Sequence, residues 1–417
     1  MSTIPSIARI INVQKHISSN PLITNTRLEK SRKLSEKYGA NIYLKREDMQ
    51  QTRSFKIRGA VNSYNSLTKE QKQQGVVVAS DGNFAQACAF CAAYFKIKTH
   101  IFVTKTMQNQ RIQMIKEYGK DQIEVFQEGD NFEQALKKAQ VYSEQKKLKL
   151  IHPFDNPATV EGNGTIAYEI IQDIDGDIDY VMLPVGGGSL AAGMSITFKE
   201  LSEDTKIIGV EPEGADSMSQ SFQQGKVIEI EHPSRFCDGS SVSKVSESNY
   251  KVCKENLCEI QVAKEGEIAY AILELYDNGL IVEPSGALSV SILERNREKI
   301  KGKNVVCLIS GGNTDLSRLD VFREMALMHE GLKYFFLINF PLRKGILREF
   351  VKNCLQETDE ISHIQFNKRN DRERAPSLIA IEVKKQNDIE QVKQKMKKMN
   401  LDYQIVNDNK ELYDLLI

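Results

Sequence analysis

Between residues 41 and 309 short apolar runs alternate with longer stretches in which apolar side chains recur every three or four residues. The runs 41–45, 75–79, 99–103 and 123–126 predict strands, and the stretches 84–95, 107–118 and 131–146 predict helices between them. A second alternating set follows, with helices over 162–172, 189–202, 268–276 and 285–297 and strands over 179–184, 206–211 and 304–309. Gly75-Val76-Val77-Val78-Ala79 is continuously apolar and reads as a buried strand, and strands alternate with helices at a regular spacing. That is the signature of a parallel sheet flanked by helices. Residues 28–38 predict one charged helix that stops at Gly39, a residue free to take the left-handed turn of a helix end.

After Arg323 the texture changes. Strands are predicted over 333–341, 361–366, 377–384 and 402–406, with helices over 345–355 and 388–399. The order βαββαβ is that of a small ferredoxin-like module. Two parallel-sheet domains followed by this module make an α/β chain, and a cleft between two such sheets is the usual place for a ligand.

Composition removes several classes of partner. The 417 residues carry 56 basic and 56 acidic side chains, so no global field recruits nucleic acid or an anionic membrane. No run reaches the length of a membrane span, and Met1-Ser2-Thr3-Ile4-Pro5-Ser6 lacks the basic start and apolar core of a signal peptide, which places the protein in the cytosol. Seven scattered cysteines fit reduced thiols. Cys88 and Cys91 make a CxxC, but in an alanine-rich helical pattern where small buried side chains account for it. The six histidines have no spacing suited to zinc.

Four stretches carry candidate chemistry. In Ser54-Phe55-Lys56-Ile57-Arg58-Gly59-Ala60, a lysine held beside an aromatic ring loses hydration, which lowers its pKa and frees the amine to attack an aldehyde. Taken alone, Lys56 reads first as a solvated lysine opening a helix. Gly186-Gly187-Gly188-Ser189-Leu190 follows a strand and opens a helix, so its amides can converge on a phosphate. It is no Walker loop, since no Gly-Lys-Ser/Thr follows, and Gly186, Gly188 and Gly193 satisfy the dinucleotide spacing only loosely. Ser80-Asp81-Gly82-Asn83 offers amides and a hydroxyl to a carboxylate at another helix start. Ser310, in Ile309-Ser310-Gly311-Gly312-Asn313, ends a buried strand and alone reads as a turn serine.

Together, and in this order, these stretches and Leu44-Lys45-Arg46-Glu47-Asp48 resemble the motifs of the biosynthetic threonine dehydratases (threonine ammonia-lyases). Phe336 to Pro341 and Gly345 to Phe350 are similar to the single ACT-like regulatory domain of the short form. The resemblance implies a fold type II pyridoxal-phosphate enzyme, like the tryptophan synthase β chain. Its catalytic part would cover 1–325, with a small subdomain of about 54–155 inserted, and an ACT-like domain would cover 333–407. It further implies pyridoxal 5'-phosphate as cofactor and Lys56 as catalytic residue. Lys56, Phe55, Asn83, Gly186, Gly187, Gly188, Ser189, Leu190 and Ser310 would hold the cofactor. Ser80, Gly82 and Asn83 would hold the substrate, with Asn83 also bonding the cofactor's phenolic oxygen and Ser310 its ring nitrogen.

By the same resemblance the reaction is threonine to 2-oxobutanoate and ammonia, with serine a second substrate. The assembly would be a homo-oligomer, dimer or tetramer, with an isoleucine or valine effector at the C-terminal domain. Alternatives are a serine or diaminopropionate ammonia-lyase, a serine racemase, or an amino-acid sensor. Three positions depart from the family: Asp81 replaces alanine, Phe84 replaces histidine and Asn163 replaces glutamine. A second carboxylate beside a bound one costs on the order of 1–4 kcal/mol unless turned to solvent or paired, and Asp81 is expected to point away. Glu211 and the carbonyl of Ala215 are similar to part of a cation site in related racemases. Ser217 stands where a carboxylate is expected there, and no metal is assigned.

Overall fold

The computed structural model describes residues 5–366 and 374–417; Met1-Ser2-Thr3-Ile4, on which the leader reading partly rests, lies outside them. The chain divides into two compact units, Met1–Asp315 and Leu316–Ile417.

In the first unit a six-stranded sheet runs in the spatial order Leu28–Lys30, Asn41–Arg46, Asn304–Ile309, Tyr180–Pro184, Lys206–Pro212, Glu259–Ala263. Only the Leu28–Lys30 edge is antiparallel to its neighbour. A second sheet, Ile123–Gln127, Thr99–Val103, Val76–Ala79, Lys149–Ile151, is parallel throughout. Val76 to Ala79 are all buried, because helices cover both faces of this central strand. Three helices of this unit pack on one another through small residues. A Cβ on Gly162 would lie 2.5 Å from the carbonyl of Arg58, and one on Gly193 would lie 2.2 Å from that of Val160. Close approach of the helices Lys56–Asn65, Pro157–Asp173 and Ser189–Leu201 therefore depends on those glycines.

The predicted helix over 28–38 is corrected: Leu28–Lys30 is an edge strand, and the helix is Arg32–Tyr38. Ser31 divides them, since its hydroxyl caps the helix by accepting from the N–H of Leu34. Gly39 does end it, at φ +65°. The helix expected over 285–297 stops at Ser291, and Arg297–Ile300 forms a separate turn.

The second unit holds the antiparallel sheet Glu360–Phe366, Arg374–Glu382, Lys333–Pro341, Asp402–Ile405. Ile346–Cys354 and Asp388–Lys398 bury Phe350, Ile389, Val392 and Met396 against one face, the βαββαβ arrangement. Two further helices, Leu319–His329 and Lys410–Leu416, bring Met328 and Tyr413 to the other face over Phe335 and Leu378. No helix among the described residues is long and apolar enough to cross a membrane.

Candidate functional site

The four motifs converge because each follows the carboxyl end of a parallel strand, where loops of an α/β sheet meet a ligand. Lys56 is the first residue of its helix, preceded by a loop in which Arg53 takes φ +55°. Two backbone bonds fasten that loop to the serine motif: Phe55 donates to the carbonyl of Ser310 at 3.0 Å, and Gly312 to that of Arg53 at 2.9 Å. The lysine and Ser310 are thus placed by one antiparallel bridge, Ser54 to Gly311.

The Lys56 amine lies 5.1 Å from the centroid of the Phe55 ring. Removal from water lowers its pKa to about 8, although the nearby Glu283 carboxyl opposes the shift. Roughly a tenth of the amine is then unprotonated at neutral pH, far more than for a solvated lysine, and able to attack a carbonyl.

Lys56, Asn83, Gly187, Ser189 and Ser310 line one cleft. Gly188 has φ +86°, a conformation a side chain resists. A Cβ on Gly187 would meet the Phe154 ring at 2.1 Å, so the loop lies flat against that ring. Asn249 donates to the carbonyls of Gly187, at 2.8 Å, and Phe154, at 2.9 Å. The helix that begins at Ser189 leaves its first N–H groups without intrahelical partners, as every helix start does. Asn163 donates to the Ser189 hydroxyl at 3.2 Å, tying this loop to the helix Pro157–Asp173.

Ser80 and Gly82 precede the helix Asn83–Phe95, which Asn83 opens with Gly82 as its N-cap. Asn83 donates to Glu283 at 2.7 Å and accepts from Asn313 at 2.9 Å. Ser310 donates its hydroxyl to the carbonyl of Ser285 at 3.1 Å. Asp81 borders an adjoining chamber of about 530 Å³, but its Oδ1 accepts the Thr104 N–H at 2.6 Å. Burial raises that carboxyl's pKa against the pull of Arg235 and Arg111. Phe84, which replaces the family's histidine, is buried in the apolar core against Ile57 and Val61.

Glu283, Phe154, Gly239, Ser240 and Ser285 also line the cleft and escaped the reading of the sequence. The available signal was Glu283 itself, a lone charge in the buried run Val282-Glu283-Pro284-Ser285-Gly286-Ala287. Glu211 is committed elsewhere: its carboxylate accepts the N–H groups of Met218 at 2.9 Å and Ser219 at 2.7 Å, capping a helix, while burial pushes its pKa up to about 8. Among the described residues no group of three or more His, Cys, Asp or Glu is placed to hold a metal.

His152 supports the Phe154 wall. Its Nδ1 accepts the N–H groups of Phe154, at 3.3 Å, and Asp155, at 2.9 Å, and burial lowers its pKa to about 4. A depressed pKa means that the folded state resists protonation. The stability contribution is complete above the unfolded value near 6.5 and is lost as pH falls toward 4, up to about 3 kcal/mol. Thermal unfolding followed from pH 7 to pH 4 should show that loss, and His152→Gln should flatten it.

A nucleophilic amine, a glycine cradle at a helix start and a hydroxyl at the far side together define a site for a phosphorylated aldehyde. The donor set suits pyridoxal phosphate: an amine for the aldehyde, loop amides at a helix start for the phosphate and a hydroxyl for the ring edge. Residues 20–311 match the family model described as pyridoxal-phosphate dependent enzyme, and residues 324–416 match that of the C-terminal regulatory domain of threonine dehydratase. The biosynthetic L-threonine dehydratase of Halalkalibacterium halodurans is 42% identical over 397 residues, covering 95% of this chain and 96% of its own.

Among solved structures, the processed threonine deaminase isoform 2 of Solanum lycopersicum is 35% identical, with a TM-score of 0.72 over 79% of this chain and 91% of its own. Maize serine racemase is 27% identical, with a TM-score of 0.72 over 78% and 99%. The chain belongs to the pyridoxal-phosphate dependent enzymes and, within them, to the biosynthetic threonine dehydratases.

Proposed function

We propose that this chain converts L-threonine to 2-oxobutanoate and ammonia, the first step of isoleucine biosynthesis, and takes serine to pyruvate by the same route. The observation that carries the reading is the Lys56 amine, with its pKa lowered to about 8, in one cleft with the glycine cradle and Ser310. The bound pyridoxal ring supplies an electron sink for charge at Cα of the amino acid.

The protein's side chains do the rest. Gly186, Gly187, Gly188, Ser189 and Leu190 offer amides to the phosphate, Phe55 packs beside the lysine, and Asn83 and Ser310 hold the ring's polar edges. Ser80, Gly82 and Asn83 orient the substrate carboxylate. Lys56 would hold the cofactor through its aldehyde, and its free amine would take the Cα proton of the substrate. Ser310 would face the ring nitrogen with a neutral hydroxyl, which, unlike a carboxylate, would not keep that nitrogen protonated and would favour β-elimination over transamination.

Residues 1–325 form the catalytic part in this reading, with the subdomain of about 54–155 closing the cleft. Residues 333–407 form the ACT-like part that takes isoleucine or valine as effector. The enzyme works in the cytosol as a dimer or tetramer. Product analysis on threonine, serine and 2,3-diaminopropionate tests the assignment: 2-oxobutanoate from threonine should form fastest. Pyruvate from diaminopropionate, or racemised serine, without 2-oxobutanoate would refute it.

A further inference from the structure

Glu283 is a charged side chain where charges are costly. Only 8% of its surface is exposed, and Oε1 lies so close to Gly311 that a Cβ there would approach it to 2.5 Å. Position 311 must therefore lack a side chain for the carboxyl to occupy its place. Glu283 is fixed at both ends, since its N–H donates to the Gly311 carbonyl at 3.2 Å while its carboxyl accepts from Asn83 Nδ2 at 2.7 Å. On the other side of Asn83, the Asn313 amide donates to Oδ1 at 2.9 Å, and to Gln86 Oε1 at 3.1 Å and the Thr52 carbonyl at 2.9 Å.

We infer that Glu283 is a positioning residue, which fixes the amide of Asn83 in one of its two flip states and sets the charge felt by the Lys56 amine. An ionised carboxylate only accepts hydrogen bonds and the Asn313 amide only donates here, so both constraints select the same orientation. Asn83 then keeps its second Nδ2 hydrogen for a ligand in the cleft. The charged groups that act on Glu283 are Lys56 and Arg111, which favour its ionised form, and Asp238, which opposes it; burial raises its pKa. Reciprocally, the carboxylate favours the protonated form of Lys56.

The inference rests on the proposal that Lys56 carries pyridoxal phosphate and that Asn83 holds its ring. The test uses the holoenzyme, titrated by visible absorbance against pH and by cofactor dissociation, in wild type, Glu283→Gln and Glu283→Asp. Glu283→Gln keeps the shape and removes the charge, so the midpoint of the absorbance titration should fall by about one pH unit. Glu283→Asp keeps the charge but withdraws it from Asn83, so cofactor should dissociate about tenfold more readily, with the midpoint retained.

An Asp variant that holds cofactor as tightly as wild type overturns the inference, and so does a Gln variant whose midpoint does not move. If one variant fails to fold, the other still decides. A wild-type protein that shows no visible band with the cofactor brings down the Lys56 reading, and this inference with it.

Discussion

Lys56→Ala should lose the visible absorbance of bound cofactor and its turnover of threonine together. Proton transfer by a placed side chain contributes on the order of 10²–10⁴-fold, and Lys56 is proposed to supply both that transfer and the covalent attachment, so activity should drop to background. The substitution leaves the frame intact, because the loop is held through the backbone: Phe55 and Gly312 donate to carbonyls that do not depend on the lysine side chain. Circular dichroism and thermal unfolding should therefore stay near wild type while absorbance and product formation vanish. Retained turnover would remove Lys56 from the mechanism.

The second large effect concerns stability. Arg58, in the first turn of the helix that Lys56 opens, is fully buried and forks between two buried carboxylates. It donates to Glu47 at 2.8 and 2.7 Å and to Glu169 at 2.7 Å through each terminal nitrogen. Lys45 reaches Glu169 at 2.8 Å, and the Thr26 hydroxyl donates to Glu47 at 2.6 Å. Replacing Arg58 by methionine leaves the two acids short of a partner in a region without water, a loss of about 3–5 kcal/mol. Arg58→Lys should recover only part of this, since an ammonium cannot serve both carboxylates in the plane of a fork. Denaturant unfolding reads the difference directly as a lower midpoint at constant slope. Unchanged stability in the methionine variant would mean that the network contributes nothing net.

Burial acts to raise the pKa of Glu47, but the attraction of Arg58 overcomes it and holds the carboxyl below its ordinary value. Its contribution to folding is therefore present above the unfolded pKa and is lost as pH falls through the folded value, the usual acid-unfolding sign.

How far these features were visible beforehand depends on where their causes lie. Val76 to Ala79 and Val305 to Ile309 are legible as strands because burial on both faces leaves an unbroken apolar run. The glycine loop and the Ser80 to Asn83 turn were legible because a strand end followed at once by a helix start is a local pattern. Leu28–Lys30 was read as helix because an antiparallel edge strand of three residues, none of them fully buried, carries almost no period of its own.

Glu259–Ala263 was missed for a related reason. Four of its five residues are only partly buried, and it is a strand because it pairs in parallel with Lys206–Pro212. Ile7–Ile17 has a helical apolar stripe but no side-chain cap at Ser6 to mark its start. Within the site, Glu283, Phe154 and Asn249 act through partners from 62 to 200 residues away, which no window along the chain brings together.

The account depends on a covalent bond between one side chain and the cofactor aldehyde. Borohydride reduction of the purified holoenzyme makes that bond permanent, and peptide mass spectrometry then locates it. The pyridoxyl mass should fall on Lys56 in the peptide that contains Ser54 and Phe55. A mass on another lysine, or none after incubation with the cofactor, would contradict the account.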